Sequence, residues 1–287
     1  MVIDAHFHPI FFEELCPTDD VVEKRKNMLA YYKTGRMNTA RAIEISKLNG
    51  VDKIILLPHD YSTQYGDVIS NEDMAALAKK YEGDFFPFAA VDPHSPDAEQ
   101  KLEHAFKDLG LCGLKLHPSK QAFFPQDKKY YPLYEICLKY NKPITFHAGM
   151  SWEPNALMEY SRPMNFERIA VDFPKLRFSL AHMGFPWIVE TAALLAKYPN
   201  VYADTSALYF DSAYEFYEYM FTKAMDVTWL DRALRHQVMF GTNNRRWHAK
   251  RTLKELDRLG LRDETVELIK GQNALEFLGE KEVTWIS

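Results

Sequence analysis

Several things are scarce in this 287-residue chain, and each scarcity removes a class of protein. It holds three cysteines, Cys16, Cys112 and Cys137, too few and too widely spaced for a disulfide framework or a CxxC metal knuckle. Buried free thiols are the expectation for them. No apolar run approaches the roughly 20 residues that cross a bilayer, so no membrane partner is expected. Positive charge is not in excess: the net charge is −5, and Arg245-Arg246 with Lys250-Arg251 form only a local cluster. A nucleic-acid binder concentrates such charge, so that class is excluded as well. Asp4, His6 and His8 interrupt the opening residues before any signal peptide could form, and the cytoplasm is the expected location. No linker, low-complexity stretch or internal repeat divides the chain, which reads as a single domain over 1–287.

What is present is regular. Strand-length apolar runs recur at Val2–Phe7, Lys53–Leu57, Phe86–Val91, Gly113–His117, Pro143–His147, Leu176–His182, Asn200–Asp204 and Gln237–Thr242. They are mostly continuous rather than alternating, as in a sheet covered on both faces. Helical patterns lie between them. Ser95-Pro96-Asp97 reads as a cap, a first-turn proline and an acid, followed by Ala98, Leu102, Ala105, Phe106 and Leu109 on one face. Asn71–Tyr81 and Pro186–Tyr198 repeat the pattern, and Leu253–Leu259, Thr265–Ile269 and Asn273–Leu278 follow the last strand. Eight strands alternating with helices predict an α/β fold of the (β/α)8 TIM-barrel type. The alternative, a doubly wound open sheet, would usually place a glycine-rich phosphate loop after its first strand, where this chain has His-Phe-His-Pro. Residues 9–36 form a long insertion after strand one, placed to cover the barrel mouth or meet another subunit.

The histidines fall where such a barrel concentrates its chemistry. His6 and His8 are two apart on a strand and so share a face. His59 follows strand two, and His117, His147 and His182 end strands four, five and six, at the catalytic rim. Several unpaired imidazoles buried together are costly, and a divalent metal would pair them. His94, His104, His236 and His248 fall in loops or helices and read as surface residues.

Asp4-Ala5-His6-Phe7-His8 resembles the D-x-H-x-H opening of the amidohydrolase superfamily. Gly113–Pro118, His147-Ala148-Gly149, Ala181-His182-Met183-Gly184 and Tyr202–Ser206 follow in order, and resemble the amidohydrolase 2 branch of metal-dependent hydrolases, lactonases, hydratases and non-oxidative decarboxylases. The resemblance covers nearly the whole chain. It implies His6, His8 and His147 as metal ligands, with His182 positioning or polarising the attacking water or the substrate. In the family the last ligand is an aspartate in a Gly-Thr/Ser-Asp turn after strand eight. Here that turn is Gly241-Thr242-Asn243.

Asn243 is the departure. An aspartate there both ligates and takes a proton from the attacking water. The asparagine amide can still coordinate weakly or hydrogen-bond, but it is no base near neutral pH. Three imidazoles still suffice for zinc. Three explanations stand open: an Asp-to-Asn laboratory variant, a natural subgroup with another base (His182 first), or a ligand-binding form that has lost catalysis. Lys115, two residues before His117, reads as a cationic clamp for a substrate carboxylate, with a bridging carbamate or a structural ion pair as alternatives. The clamp implies one metal ion, zinc first and manganese as the alternative. His117 would share in binding, and Arg245 or Arg246 could supply a second anionic anchor. Tyr209, Phe210, Trp152 and Trp187 are candidate aromatic walls. The expectation is a hydrolase of a small carboxylated or cyclic substrate, with a non-oxidative decarboxylase or a catalytically impaired binding form as alternatives. A homodimer is left open.

Overall fold

The computed structural model describes residues 1–29, 34–206, 210–244 and 246–282. Among them, eight parallel strands run in chain order round a barrel. They are β1 (Ile3–Phe7), β2 (Lys53–Leu56), β3 (Phe85–Pro87 continued by Ala89–Ala90), β4 (Leu114–Leu116), β5 (Ile144–Phe146), β6 (Phe178–Leu180), β7 (Val201–Asp204) and β8 (Val238–Met239). Each pairs with the next: Ile3 lies opposite Lys53, Ile54 opposite Phe85, Ala89 opposite Leu114 and Leu114 opposite Ile144. Ile144 and Val201 both lie opposite Phe178, and Ala203 lies opposite Val238. The break at Phe88 lets one half of β3 pair with β2 and the other with β4. Closure comes from β1: the Ala5 N–H donates to the Phe240 carbonyl at 2.8 Å, and Phe7 bridges Asn244 in parallel.

Every residue of β1, β4, β5, β6 and β7 is buried, which is why these strands read as continuous apolar runs. The helix Asn71–Lys80 starts where the Ser70 hydroxyl accepts the Asp73 N–H, with acids in its first turn and lysines in its last. The helix expected from Ser95 starts later, at Ala98, because the Ser95 hydroxyl bonds the Asp97 carboxylate instead of capping the backbone. It still buries Ala98, Leu102, Ala105 and Phe106. A second apolar cluster joins Ile3, Ile55, Phe88, Tyr202 and Met239 to Ala274, Phe277 and Leu278 of the last helix. That helix lies at the strands' N-terminal end, since Arg177, just before β6, donates to the Phe277 carbonyl at 2.8 Å.

The 9–36 insertion contains the helix Asp19–Leu29, and its residues 30–33 lie outside the described residues. Its buried Arg25 donates to Asp67 at 3.0 Å and to the Ile10 and Leu15 carbonyls at 2.9 and 2.7 Å. Asp67 belongs to a small hairpin, Asp60–Tyr61 against Asp67–Val68, that follows β2. The insertion is thereby fastened to the barrel rim, where Ile10 reaches the mouth. Cys16 and Cys137 are buried free thiols, as expected, whereas Cys112 is half-buried. Of the four histidines read as surface residues, His94, His104 and His248 are exposed and His236 is half-buried. No helix of the described residues is long and apolar enough to cross a membrane.

Candidate metal centre and active-site cleft

The C-terminal strand ends converge on one cleft of about 530 Å³, counted with its open mouth. Its walls include His8, His59, His117, His147, His182 and Asn243, with Lys120, Trp152, Glu153 and Arg246 nearer the loops. His6 is fully buried beside them. The His6 and His182 ring centres are 4.6 Å apart and those of His147 and His182 are 5.2 Å apart. His117 stacks on His147 at 3.8 Å.

The partners of each ring assign its tautomer. His6 Nδ1 lies 2.9 Å from the Asp204 carboxylate and His8 Nδ1 lies 2.9 Å from the Leu57 carbonyl, so both donate from Nδ1. Both Nε2 atoms then carry lone pairs, yet they face each other at 3.1 Å. A second proton on either ring would relieve the clash. Burial above all, with Lys115 adding, instead holds both rings well below the usual imidazole range. Two acceptors facing across 3.1 Å are spaced as neighbouring ligands of one cation with metal–nitrogen bonds of about 2.1 Å. The donor set therefore fits a divalent metal.

Asp204 organises this group. One oxygen accepts His6 Nδ1–H; the other accepts the N–H groups of His182 and Ser206 at 3.0 and 3.1 Å, and the Ser206 hydroxyl. Having spent its proton on Asp204, the Ser206 hydroxyl accepts from His182 Nδ1 at 2.7 Å. His182 is thus neutral, with a free Nε2, and burial keeps it far below its ordinary range. His6, His182 and Asp204 bring ligand atoms within 4.8 Å of one another, a grouping able to hold an ion. Because the Asp204 oxygens are already engaged by four donors, we assign it the orienting role that carboxylates take behind ligand histidines.

Neither His8 nor His147 belongs to that compact group. His147 Nε2 is 3.2 Å from the Met150 carbonyl, which leaves Nδ1 as its lone pair. The chain bends sharply after it at Gly149, where φ is +85° and a Cβ would fall 2.0 Å from the Phe185 carbonyl oxygen. Asn243 is buried at φ 51°, a left-handed conformation that asparagine tolerates better than most residues. Its N–H donates to the His6 carbonyl at 2.9 Å, so the turn after β8 is pinned to the ligand strand. Asp4 ties the same turn from beneath, accepting the Thr242 N–H and hydroxyl at 3.0 and 2.5 Å. Burial nonetheless raises Asp4 to about 7. Gly241 passes so close that a Cβ would sit 3.1 Å from His6 Cβ.

Lys115 is buried at 3 % exposure and its ammonium has no hydrogen-bond partner among the described residues. Burial, and after it Lys120, lowers it to about 7 although Asp204 favours its charge. It is absent from the lining of the cleft, whereas Lys120, outside the motif residues assigned from the sequence, is present. Arg245 and Tyr209 lie outside the described residues; Arg246 and Trp152 line the cleft. Phe210 packs against Phe185 at 5.5 Å and Trp187 stands 5.9 Å from the Arg162 guanidinium, so both act in packing. The motif Tyr202–Ser206 contains both Asp204 and Ser206 without marking either as the group that orients a ring, and the His59–Asp67 pair has no motif of its own. The spacing of Asp204 at a strand end was the available signal.

Residues 3–279 match a family model described as Amidohydrolase. Among curated proteins, a 69-residue stretch is 30 % identical to protein fluG of Emericella nidulans, covering 24 % of this chain and 8 % of that protein. A TIM-barrel protein of Bordetella bronchiseptica superposes with a TM-score of 0.77 at 20 % identity, over 97 % of this chain and 98 % of that one. A 5-carboxyvanillate decarboxylase of Novosphingobium aromaticivorans, complexed with manganese and 4-hydroxy-3-methoxy-5-nitrobenzoic acid, gives 0.67 at 15 % identity over 97 % and 96 %. The 4-oxalomesaconate hydratase of Rhodopseudomonas palustris gives 0.66 at 17 % over 97 % and 96 %. At these identities the structural likenesses show the (β/α)8 fold.

Proposed function

The chain belongs to the amidohydrolase family whose model it matches over residues 3–279, and from that premise we propose that it is a metal-dependent hydrolase of a small carboxylated or cyclic ester, lactone or amide. The observation that carries this reading is the His6–His8 pair, two neutral imidazoles presenting lone pairs to each other at 3.1 Å. His6 and His8 would hold the ion, with His147 and Asn243 completing the set that the family resemblance implies. A divalent cation, zinc in this reading with manganese as the alternative, supplies Lewis acidity toward a carbonyl and toward water. Manganese in the related decarboxylase supports a divalent ion without deciding between the two.

The residues then divide the work. His182, neutral and oriented through Ser206, offers Nε2 to take the proton of an attacking water. Asn243 accepts or donates a hydrogen bond and moves no proton. A second reading, non-oxidative decarboxylation, is favoured by two observations: position 243 lacks a carboxylate base, and a structural relative is a decarboxylase. There His182 Nε2 would first take a proton from water and then pass it to the carbon from which carbon dioxide leaves.

The deciding experiment is a panel of lactones, amides and aryl acids assayed in ¹⁸O-water, on this chain and on Asn243→Asp, with zinc and with manganese. Solvent oxygen in the product is expected. Carbon dioxide release without oxygen incorporation would replace the first reading by the second. Ligand binding without turnover in either metal form would identify an impaired binding protein, and a rise of orders of magnitude in Asn243→Asp would trace that impairment to the missing carboxylate.

A further inference from the structure

Opposite the metal-facing histidines, the cleft wall carries a buried ion pair that the proposed chemistry does not use. Lys120 Nζ lies 2.8 Å from Glu153, with the two side chains 8 % and 12 % exposed. Both line the cleft that holds His8, His182 and Asn243. A buried pair of this kind is weak evidence for stability, because desolvation offsets most of the attraction. Its place in a substrate cleft rather than in the core asks for another account.

The two partners are held very differently. Lys120 stands in the short helical turn Pro118–Gln121 directly after β4. Its own N–H donates to His117 Nδ1 at 3.2 Å. Gln121 locks that turn, accepting the His117 N–H at 2.8 Å and donating to the Asp60 and Val91 carbonyls, both at 2.9 Å. The ammonium also faces the Tyr61 ring at 5.4 Å. Glu153 comes instead from 151–157, a stretch with no helix or strand, and its other side-chain partner is its neighbour Ser151 at 2.7 Å. Trp152 and Leu157 of that stretch are each 52 % exposed. A cation fixed by its helical turn is thus covered by a carboxylate from a stretch without regular structure, whose Trp152 ring lies 5.9 Å from the Arg246 guanidinium.

We propose that Lys120 is the cleft's recognition residue for the carboxylate of a small acid, and that Glu153 occupies it as an intramolecular stand-in until that acid displaces it. The carboxylate that the chain already places on Lys120 defines the ligand chemistry: one planar, singly charged group replaces another, and neither ion is left buried and alone. Displacement frees the 151–157 stretch, so entry of the acid and opening of that wall are one event. This assigns the cationic role to Lys120 rather than Lys115. It rests on the reading above that this cleft receives a carboxylated substrate.

The test is calorimetric titration of the full chain, with and without manganese, using benzoate and its neutral counterpart benzamide. Benzoate should bind in both metal states and benzamide in neither. Removing the competitor in Glu153→Gln should tighten benzoate about tenfold or more, since the apparent dissociation constant is the intrinsic one divided by the fraction of open site. Lys120→Met should lose benzoate. The double variant Lys120→Met/Glu153→Leu leaves no unpaired charge; it should fold like the parent and also lose benzoate. Unchanged or weakened binding in Glu153→Gln, no benzoate binding to that variant, or retained binding in the double variant would overturn the proposal. Metal content measured on the same samples separates the two readings: gated benzoate binding in a chain that takes no metal sinks the metal-dependent function and leaves this proposal standing. A metal-loaded chain indifferent to Glu153 does the reverse.

Discussion

The two walls of the cleft are built on opposite plans. On the β1, β6 and β7 side every imidazole has a dedicated orienting partner: Asp204 for His6, the Leu57 carbonyl for His8, Ser206 for His182. Those partners sit on or beside strands and are buried. On the β4 and β5 side, recognition falls to Lys120 and Glu153, which hold each other across two loops. One wall fixes the geometry and protonation of its nitrogens, as metal chemistry requires. The other keeps a charge partner that can be exchanged. Precision and exchange are separated within one cleft because a rigid strand end serves the first and a loop serves the second.

The comparison is broken most directly by removing the His6–His8 pair. His6→Ala or His8→Ala should abolish stoichiometric zinc or manganese uptake, read by elemental analysis after gel filtration. The same variants should lose the thermal stabilisation that metal gives the parent, about 2.7 kcal/mol at a free metal concentration ~100 times Kd, or roughly 5 °C in Tm for a chain of this size. Full uptake in either variant would mean that the two nitrogens facing at 3.1 Å do not mark the ion's place. A smaller effect sharpens the contrast. Asp204→Asn keeps shape and removes the charge that orients His6, so metal affinity should fall by about 10- to 100-fold, measured by competition with a chelator. Glu153→Gln should leave that affinity within about threefold, because Glu153 bonds Lys120 and Ser151 and orients neither His6 nor His8. Equal losses in the two variants would erase the distinction between the walls.

The same contrast explains what could be read from the sequence. The eight strands were legible because both their faces are covered, which forces unbroken apolar runs in the chain. His6, His8 and His182 were legible because strand ends of a barrel converge, so position along the chain stands for position in space. Their orienting partners were not. Asp204 reaches His6 across 198 residues, and nothing local in Tyr202-Ala203-Asp204 distinguishes a carboxylate behind a ligand from one that is a ligand. Lys115 drew attention as the lysine on the strand, yet it is Lys120, one turn further on, that reaches the cleft. The insertion was visible as an anomaly of spacing. Its anchoring, through Arg25 on Asp67, depends on a hairpin 42 residues away.

Lys115 offers the finest test, because its charge bears on both walls: it lowers His6, His8 and His182 on one and His117 and His147 on the other. Burial brings it from 10.5 to about 7 in the metal-free fold. A lysine depressed in this way is neutral when folded and charged when unfolded throughout that interval, so the unfolded chain binds one more proton. Stability contributed by the neutral form is complete above the unfolded value and declines as pH falls towards about 7. Metal-free protein should therefore gain stability between pH 7.5 and 9.5 by at most about 1.4 kcal/mol per pH unit, close to 2 °C in Tm. Lys115→Met should flatten that rise: the histidines, held below their ordinary range, titrate below this interval, and Asp4 titrates in both proteins. Equal slopes would show that Lys115 stays charged in this range and has found an anionic partner. The cation facing a substrate carboxylate would then be Lys115, on the strand, and the cleft would lose its division into a fixed wall and an exchangeable one.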